Sequence, residues 1–367
     1  MKIIAFYLPQ FHEVPENNEW WGNGFTEWDN VKKARPLFEG HYQPHIPLDG
    51  NYYDLSDDTA MKWQVNLAKK YGVYGFCFYH YWFNGKLMLE KPLNQYLKNK
   101  ELNLPFCIYW ANESWTRRWV ANEGEILLKQ EYGTIEMWEK HFEFLLPFFK
   151  DERYIKTNGK PLLIIHMGEY LPSGMPECWE SLAIKAGLPG IDIAYRRSSH
   201  SNYPNDENVS HIIDVQPSVA TSANRGRLSS LAYKLGNYAI HKFGIRLRKS
   251  LKQTHTVIDF SKVWDAILSG NPLDERNIPG AYVGWDNSPR YGKRARIHIN
   301  NTPEVFESYL TKQIVRARDV YNKDMLFLFA WNEWAEGAHL EPDERFGYGY
   351  LEAVRNALNA TSEFPED

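Results

Sequence analysis

The segment Leu326-Phe327-Leu328-Phe329-Ala330-Trp331-Asn332-Glu333-Trp334-Ala335-Glu336-Gly337 decides how the chain folds. Its first six residues are apolar without alternation, which is typical of a parallel strand covered on both faces. Most of the other short β-like runs along the chain are apolar in the same way. The eight predicted strands cover residues 3–7, 73–80, 106–110, 162–166, 191–195, 211–216, 281–285 and 326–331.

Segments with helical periodicity lie between several of these strands. The clearest cover residues 57–71, 134–149 and 303–321, and Thr302 is the expected N-cap of the last. Alternating strands and helices predict an α/β protein with a parallel sheet, and eight such units predict a closed (β/α)₈ TIM barrel. An open doubly wound sheet is the alternative, but no glycine-rich phosphate loop follows the first strand. Residues 1–367 are expected to form a single catalytic domain.

Two long loop insertions interrupt the regular alternation, one after strand 1 and one after strand 6. The first, residues 11–56, is interpreted as a lid or cleft wall. The second, residues 215–258, has no Asp or Glu and eight Lys or Arg, all of which fall in 225–252. Basic residues interleaved with apolar ones predict a peripheral contact with an anionic membrane, and a solvated cap on the barrel is the alternative.

Composition excludes several classes of protein. The 367 residues carry a formal net charge of −4, which argues against nucleic acid as a partner. The mean hydropathy is −0.54, and no apolar run is long enough to span a membrane. Three cysteines are too few for a disulfide framework, and no Cys/His grouping has zinc spacing, so no metal is expected. The first residues are interpreted as a strand rather than a signal peptide, which predicts a cytoplasmic location.

Polar and aromatic side chains collect where the predicted strands end. In a barrel these ends meet on one face, where barrel active sites lie. The abundance of aromatic residues, with 14 Trp, 23 Tyr and 19 Phe, suits a cleft in which rings stack on sugars, and Trp110, Trp285 and Trp334 are the expected platforms. The predicted substrate-binding residues are Tyr7, Gln10, Glu27, Trp28, Tyr79, His80, Trp82, Trp110, Asn112, Glu113, Arg196, Gln216, Trp285, Asp286, Trp331, Asn332 and Trp334.

Other roles are open for some of these residues. His80 could equally be a hydrogen-bonded core histidine, and Glu27 could equally be structural. Arg196 and the neighbouring Arg197 could bind an anionic group such as a uronate or phosphate, or could pair with Asp214.

Glu333 and Glu336 are the candidate catalytic residues. Cleavage of a glycosidic bond needs one group that protonates the leaving oxygen and a second that supplies negative charge, a nucleophile or a base. Two carboxylates in different environments meet that need. Glutamates three residues apart are common on solvated helices, but here a buried strand runs directly into the pair and its tryptophans. His339 and Glu341, a few residues further on, are expected to support this loop.

The segment 329–343 resembles the characteristic motif of the WbsX family, which is related to glycoside hydrolase family 99. Similar motifs are Ala5-Phe6-Tyr7-Leu8-Pro9-Gln10-Phe11-His12, Gly24-Phe25-Thr26-Glu27-Trp28, Gln43-Pro44-His45-Ile46-Pro47, Tyr79-His80-Tyr81-Trp82 and Tyr109-Trp110-Ala111-Asn112-Glu113. The resemblance runs from residue 1 to about 358 and implies a (β/α)₈ barrel with no metal and no organic cofactor.

Family 99 enzymes are retaining endo-α-mannosidases thought to pass through a 1,2-anhydro sugar. The resemblance implies that Glu333 deprotonates the 2-hydroxyl and that Glu336 acts as acid and then base. Ala335 departs from the family 99 motif, which commonly has histidine there, and this puts the identity of the sugar in doubt.

Three functions follow from these features. The first is a glycoside hydrolase that acts with retention on an α-linked, mannose-like oligo- or polysaccharide. The second is a glycosyltransferase of bacterial surface-polysaccharide (O-antigen or capsule) biosynthesis, which often carries a metal-binding Asp-x-Asp motif. The nearest match, Asp54-Leu55-Ser56-Asp57-Asp58, is interpreted as a helix N-cap, although a lipid-phosphate donor would need no such motif. The third is a non-catalytic carbohydrate-binding protein, for which a pair of glutamates would have no use.

Overall fold

The computed structural model describes residues 1–116, 125–197, 209–223 and 255–365. Within them, parallel strands form a nearly closed barrel that confirms the predicted (β/α)₈ fold. Each strand pairs with its sequence neighbour, and β1 pairs with β8. The strands are β1 (Lys2–Tyr7), β2 (Val73–Phe83), β3 (Phe106–Trp110), β4 (Lys160–Ile165), β5 (Asp192–Arg197), β6 (Val209–Asp214), β7 (Asn277–Ile278 and Gly280–Tyr282) and β8 (Met325–Phe329).

The strand β7 closes the barrel. Its first part pairs with β6, with Ile212 opposite Asn277. Its second part pairs with β8, with Gly280 opposite Phe327. The strand was expected to continue to Trp285 but ends at Tyr282, because the chain then leaves the barrel to pair elsewhere: the carbonyl of Trp285 accepts from the amide of His298.

Helices cover the outside of the barrel, and short strands lie outside it. The helices are α1 (Pro15–Trp21), α2 (Glu27–Lys33), α3 (Asp58–Lys70), α4 (Lys91–Lys98), α5 (Ile135–Phe149), α6 (Met175–Lys185), α7 (Ser218–Ala223), α8 (Phe260–Ser269), α9 (Ser288–Tyr291), α10 (Pro303–Asp319) and α11 (Gly349–Ala360). Single 3₁₀ turns cover Leu48–Gly50, Gly168–Tyr170, Gly292–Arg294 and Trp334–Glu336. The short strands are Lys86–Met88, Trp115–Thr116, Ile126–Leu128, Lys156–Thr157, Thr256–Asp259, Arg296–Ile299, Asn332–Glu333 and Ala338–His339.

The predicted helix starts are confirmed by their caps. Asp57 precedes α3 and its Oδ1 accepts from the amide of Thr59 at 2.8 Å, so the Asp-rich run is an N-cap. Thr302 caps α10, where its Oγ1 accepts from the amide of Val305, and Pro303 follows at the first helical position.

Side chains of successive strand residues point alternately into the barrel and toward the helices. Phe6 points inward, where its ring meets those of Tyr79 at 5.9 Å, Tyr109 at 5.3 Å and Phe329 at 6.1 Å. Tyr7 points outward, and its hydroxyl donates to Oε1 of Gln64 on α3 at 2.7 Å. The barrel interior beneath the mouth is therefore packed with aromatic rings.

The insertion after β1 forms a wall beside the barrel mouth. It contains α1 and α2, and the indole of Trp28 donates to the carbonyl of Tyr53 at 2.8 Å. Pro47 forms an antiparallel bridge with Asp343, which follows β8. Much of the insertion after β6, including the basic stretch 225–252, lies outside the described residues, so the predicted membrane contact stays a prediction.

None of the helices in the described part of the chain combines the length and apolar character that crossing a membrane requires.

Barrel closure gives a prediction about stability. A methyl group added at Gly280 would lie 1.7 Å from the carbonyl oxygen of Asp214 on β6. The Asp214 carbonyl belongs to the paired backbone of the barrel and cannot move aside. Gly280→Ala should therefore lower the free energy of unfolding by about 3 kcal/mol or more. Chemical denaturation measures the change. Gly270→Ala is the control, because an added methyl group there would lie an ordinary 3.4 Å from its nearest neighbour, the carbonyl oxygen of Ile267. Equal stability of the two variants would contradict the described closure.

Candidate active site

The two candidate glutamates lie in a tight hairpin directly after β8. Asn332 and Glu333 pair antiparallel with Ala338 and His339, and a 3₁₀ turn, Trp334–Glu336, joins the two strands. Glu333 and Glu336 therefore stand at the start and at the end of one short turn.

Backbone contacts leave little freedom at the end of the turn. Gly337 has a φ of +59°, and a Cβ there would lie 2.9 Å from the Cβ of Asp286. The amide of Asp286 donates to the carbonyl of Glu336 at 2.6 Å. The turn is therefore held against the segment that follows β7.

Glu341 anchors the hairpin from below. Its carboxylate is buried and accepts hydrogen bonds from the indoles of Trp331 and Trp334 at 2.9 and 2.6 Å. It also accepts from Gln64 Nε2 at 2.7 Å and from the Tyr53 hydroxyl at 2.9 Å. Burial raises the pKa of Glu341 to about 7, and the four donors oppose a further rise. The expected supporting role of Glu341 is confirmed by these contacts.

Arg290, on α9, brings three glutamates together. Its Nη1 donates to Glu336 Oε1 at 2.7 Å, and its Nη2 donates to Glu333 Oε2 at 3.4 Å. Its Nε donates to Oε1 of Glu27 from the insertion after β1 at 2.8 Å. The side chain of Glu27 is 0% exposed and that of Arg290 9% exposed, so the contacts are shielded from solvent.

Both catalytic candidates hold a proton more tightly than an ordinary glutamate. Burial and the nearby charge of Glu336 raise the pKa of Glu333 to about 8. Burial also raises the pKa of Glu336, against the opposing charge of Arg290. Glu336 has the shorter contact with Arg290, which favours its ionised form. Because the two carboxyl groups titrate as a coupled pair, they share one proton between their two titration steps.

Tyrosines and one tryptophan line the barrel mouth beside the glutamates. Burial and the charge of Glu333 raise the pKa values of Tyr79 and Tyr81 well above the usual value, so both phenols stay neutral donors. Trp285 is half-buried and packs against Phe329, with ring centroids 5.6 Å apart. Tyr79 is half-buried and within electrostatic reach of Glu333, and Trp285 is half-buried against Phe329, so the contact of both residues with a sugar stays a prediction.

A second polar group occupies the ends of β3, β4 and β5. The Tyr109 hydroxyl lies 2.5 Å from His166 Nδ1, and Arg196 Nη1 lies 2.8 Å from His166 Nε2. Glu113 Oε1 is 3.9 Å from the same His166 nitrogen, and its side chain is 38% exposed. The positive charge of Arg196 also opposes the rise in the pKa of Glu336, so this group lies within electrostatic reach of the pair.

The structure brings the predicted residues His80, Trp82 and Trp110 together outside the barrel. His80 Nε2 lies 2.8 Å from His141 Nε2 on α5, and Trp82 stacks on the His141 ring at 4.6 Å. Trp110 is 1% exposed and meets Trp179 on α6 at 5.8 Å. These side chains alternate with the inward-facing tyrosines of β2 and β3, so they pack under the helices and do not face the mouth.

Several other residues predicted to bind substrate are instead hydrogen-bonded or buried within the protein. Asn332 binds the backbone of Leu8 through both side-chain atoms, and Asn112 binds that of Met167 in the same way. Gln216 Oε1 accepts from the amide of Ala220 at 3.2 Å. Tyr7, Trp28, Trp331 and Trp334 are at most 4% exposed, which removes Trp334 as a stacking platform.

Asp286 is also structural. Its Oδ2 accepts from His41 Nε2 at 2.7 Å and from Gln43 Nε2 at 2.6 Å, which joins the insertion after β1 to the segment after β7. Burial acts to raise the pKa of Asp286, but these hydrogen bonds outweigh burial, and the pKa lies below its usual value. Because the buried Asp286 carboxylate already accepts these two hydrogen bonds, it is not available to a substrate hydroxyl.

The remaining predicted positions have mixed outcomes. Gln10 is half-buried at the mouth, and its carbonyl accepts from the amide of Glu27 at 3.0 Å. Arg197, and not Arg196, pairs with Asp214, at 3.2 Å. Arg196 instead faces the mouth beside His166 and donates to the Ser218 hydroxyl at 3.3 Å.

Sequence reasoning missed Arg290 and His166. Arg290 stands among other basic residues after the seventh strand, in Ser288-Pro289-Arg290-Tyr291-Gly292-Lys293-Arg294, and no spacing singles it out. The signal that could have found it is chemical: three glutamates expected at one mouth require a positive charge near them.

Solved structures with the same fold include glycoside hydrolases. A structure of the GH99 endo-alpha-mannosidase from Bacteroides thetaiotaomicron has a TM-score of 0.55 and 12% identity, covering 98% of this chain and 97% of that chain. A structure described as a glycoside hydrolase-like protein has a TM-score of 0.55 and 11% identity, covering 100% of this chain and 94% of that chain. At these identities the similarity shows the fold, a GH99-like barrel.

The chain belongs to the WbsX family, because the family model described as glycosyltransferase WbsX matches residues 3–354. Two curated relatives, both called uncharacterized protein WxcX and both from strains of Xanthomonas campestris pv. campestris, are 34% identical to it. The alignments cover 97% of this chain and 49% of each relative. The chain therefore spans about half the length of the curated relatives it matches.

The Arg290 contacts predict a coupled loss of stability. Arg290→Met leaves the fully buried Glu27 without its cation, and breaking a buried ion pair typically costs about 3–5 kcal/mol. Adding Glu27→Gln to the Arg290→Met variant should restore part of that stability, because the unpaired buried charge of Glu27 is then removed. Denaturation of both single variants and the double variant gives the coupling energy. Additive losses would show that Arg290 and Glu27 do not interact.

Proposed function

We propose that the chain is an enzyme that acts on an α-linked, mannose-like glycan with retention of anomeric configuration, using Glu333 and Glu336. The observation that carries the proposal is the position of these two buried carboxyl groups, which share one guanidinium at the mouth of the barrel. Their raised pKa values keep a proton available near neutral pH, as acid catalysis requires. Partly exposed aromatic rings beside them suit a sugar face.

The proposed reaction has two steps that balance in protons. In the first, Glu336 donates a proton to the glycosidic oxygen while Glu333 takes the proton of the 2-hydroxyl. The bond from C1 to the leaving oxygen breaks as the 2-oxygen forms a bond to C1. In the second, Glu336 takes a proton from water and the water oxygen attacks C1. The bond between C1 and the 2-oxygen breaks, and the 2-oxygen recovers its proton from Glu333.

The resting position of the proton fits this reaction with one adjustment. A coupled pair titrates as a unit, and between its two macroscopic pKa values it carries one proton. In the unliganded site that proton favours Glu333, while the proposed reaction starts with the proton on Glu336. Moving the proton from Glu333 to Glu336 leaves the net charge of the pair unchanged. The substrate 2-hydroxyl donates to the Glu333 carboxylate and therefore favours its ionised form.

Transfer to a second sugar is the alternative function. The same first step applies, and a sugar hydroxyl replaces water in the second. The family description as a glycosyltransferase favours it, as does Arg196 at the mouth, where a guanidinium suits a phosphate or uronate. Incubation of a manno-oligosaccharide with and without excess acceptor distinguishes the two, because transfer gives longer products and hydrolysis gives free reducing ends.

Dependence on the leaving group tests the role of Glu336. Glu336→Gln should lower kcat by about 10²–10⁴ on substrates with poor leaving groups, because it removes the proton donor. The loss should be much smaller on aryl glycosides, whose leaving groups need no proton. Glu333→Gln should abolish most turnover of both substrate types. Steady-state kinetics with matched aryl and alkyl glycosides provide the measurement.

The controls for this test distinguish an incorrect role for Glu336 from an incorrect choice of active site. Glu131→Gln alters an exposed glutamate that pairs with Lys129, and its kinetics should match those of the unaltered enzyme. Equal slowing of both substrate types by Glu336→Gln would overturn its assignment as the acid. Full activity of the Glu333 and Glu336 variants with loss of turnover in Glu113→Gln would place the reaction in the second polar group.

The proton shared by the pair predicts the pH dependence of kcat/KM. The pKa of Glu333, about 8, sets the pH above which the pair loses its last proton. The rate constant should therefore fall as the pH rises through about 8, and should fall again in acid when both carboxyl groups are protonated. A profile measured on a substrate with a poor leaving group tests this. A rate that rises through pH 8 would instead require both carboxylates to be ionised.

A further inference from the structure

A cavity of about 340 Å³ lies beside the catalytic hairpin, between the insertion after β1 and the segments after β7 and β8. Its described lining includes Tyr42, His45, His339 and Asp343, and neither Glu333 nor Glu336. The cavity is therefore a separate feature from the barrel mouth, although both adjoin the same hairpin.

Three potential metal ligands converge in this cavity. His45 Nδ1 lies 2.9 Å from His339 Nε2, which lies 3.9 Å from Asp343 Oδ2. All three atoms lie within 4.8 Å of one another. His45 comes from the insertion after β1, His339 from the second strand of the hairpin and Asp343 from the segment that follows it, so no spacing in the sequence reveals the group.

Neighbouring contacts fix each ligand in a suitable orientation. His339 Nδ1 lies 3.0 Å from the carbonyl of Glu341, which can only accept, so Nδ1 carries the proton and Nε2 presents its lone pair. Asp343 Oδ1 accepts from the amides of Arg345 and Phe346, which directs the carboxylate as a whole. Such outer contacts are a regular feature of metal-binding histidines and carboxylates.

Ring stacking adds to this rigidity. The His339 ring stacks on Trp334 with centroids 3.7 Å apart and planes at 12°. The His45 ring stacks on Tyr42 at 4.6 Å. Both histidines are also buried, which further limits the movement of their rings.

We propose that His45, His339 and Asp343 bind one divalent transition-metal ion, with Zn²⁺ as the best match and water as the fourth ligand. Two imidazoles and one carboxylate form a donor set used by zinc sites, at bond lengths of about 2.0–2.2 Å. Without an ion, the proton on His45 Nδ1 bridges to His339 Nε2. On binding, that proton moves to His45 Nε2, so the ring stays neutral while Nδ1 becomes a ligand.

The ion would join two parts of the active-site wall. His339 pairs directly with Asn332, the residue before Glu333, while His45 belongs to the insertion after β1. An ion held between them would stabilise the folded chain by an amount that grows with the logarithm of the ion concentration above its Kd, and it would limit movement of the hairpin. Its role is therefore structural, and it takes no part in the bond-breaking steps proposed above.

The experiment is a titration of the full chain, without a histidine tag and after dialysis against EDTA, with ZnCl₂ in a calorimeter. One equivalent should bind, and the Tm should rise with the Zn²⁺ concentration. His45→Ala and Asp343→Asn should each weaken binding by at least the roughly 10–100-fold that loss of an outer contact costs. Asn at 343 keeps an oxygen for the two backbone amides, so this variant retains the local turn.

His298→Gln is the matched control, because His298 is a buried histidine that lines the same cavity outside the group of three. It should bind Zn²⁺ as tightly as the unaltered chain. Co²⁺ gives a second measurement on the unaltered chain, since tetrahedral nitrogen and oxygen ligation produces intense visible absorption. Absence of a one-equivalent site, or Zn²⁺ affinity unchanged in both ligand variants, would overturn the proposal whatever the enzyme activity.

Discussion

One buried guanidinium makes the candidate active site possible. Arg290 contacts Glu27, Glu333 and Glu336, which come from opposite ends of the chain. Three carboxylates at one buried place would otherwise each bear a desolvation penalty of several kcal/mol and repel one another. Arg290 offsets this cost only in part, because burial still raises the pKa of Glu333 and Glu336. The result is a pair of carboxyl groups that retains one proton near neutral pH.

The residues around the glutamate pair fall into two groups, which are buried residues that hold the site in place and half-buried aromatic residues. Glu341 holds the indoles of Trp331 and Trp334 beneath the hairpin, and Asp286 holds the insertion after β1 beside it. These polar groups are buried and hydrogen-bonded, and such networks rigidify a site because breaking one contact leaves an unpaired buried group. Tyr79 and Trp285 are half-buried, and they are the residues through which the proposed function would contact a glycan.

The sequence was sufficient to predict the barrel because most strands are short apolar runs and helical segments lie between several of them. The same feature hides which way each side chain points, since a strand buried on both faces shows no polar alternation. For this reason His80 and Trp110 were expected at the mouth, although they pack against α5 and α6. The glutamate pair was a candidate because a buried strand runs directly into it, whereas Arg290 became recognisable only when the fold brought distant segments together.

The connection between Asn332 and Leu8 has a consequence for how the protein is made. Both side-chain atoms of Asn332 bind the backbone of a residue 324 positions earlier, and β1 pairs with β8 along the same seam. A ribosome releases β8 long after β1, so through most of synthesis β1 has one hydrogen-bonding edge open. Open strand edges recruit other chains. The newborn polypeptide is therefore most prone to aggregate before β8 arrives, and the candidate active site is the last part of the barrel to be assembled.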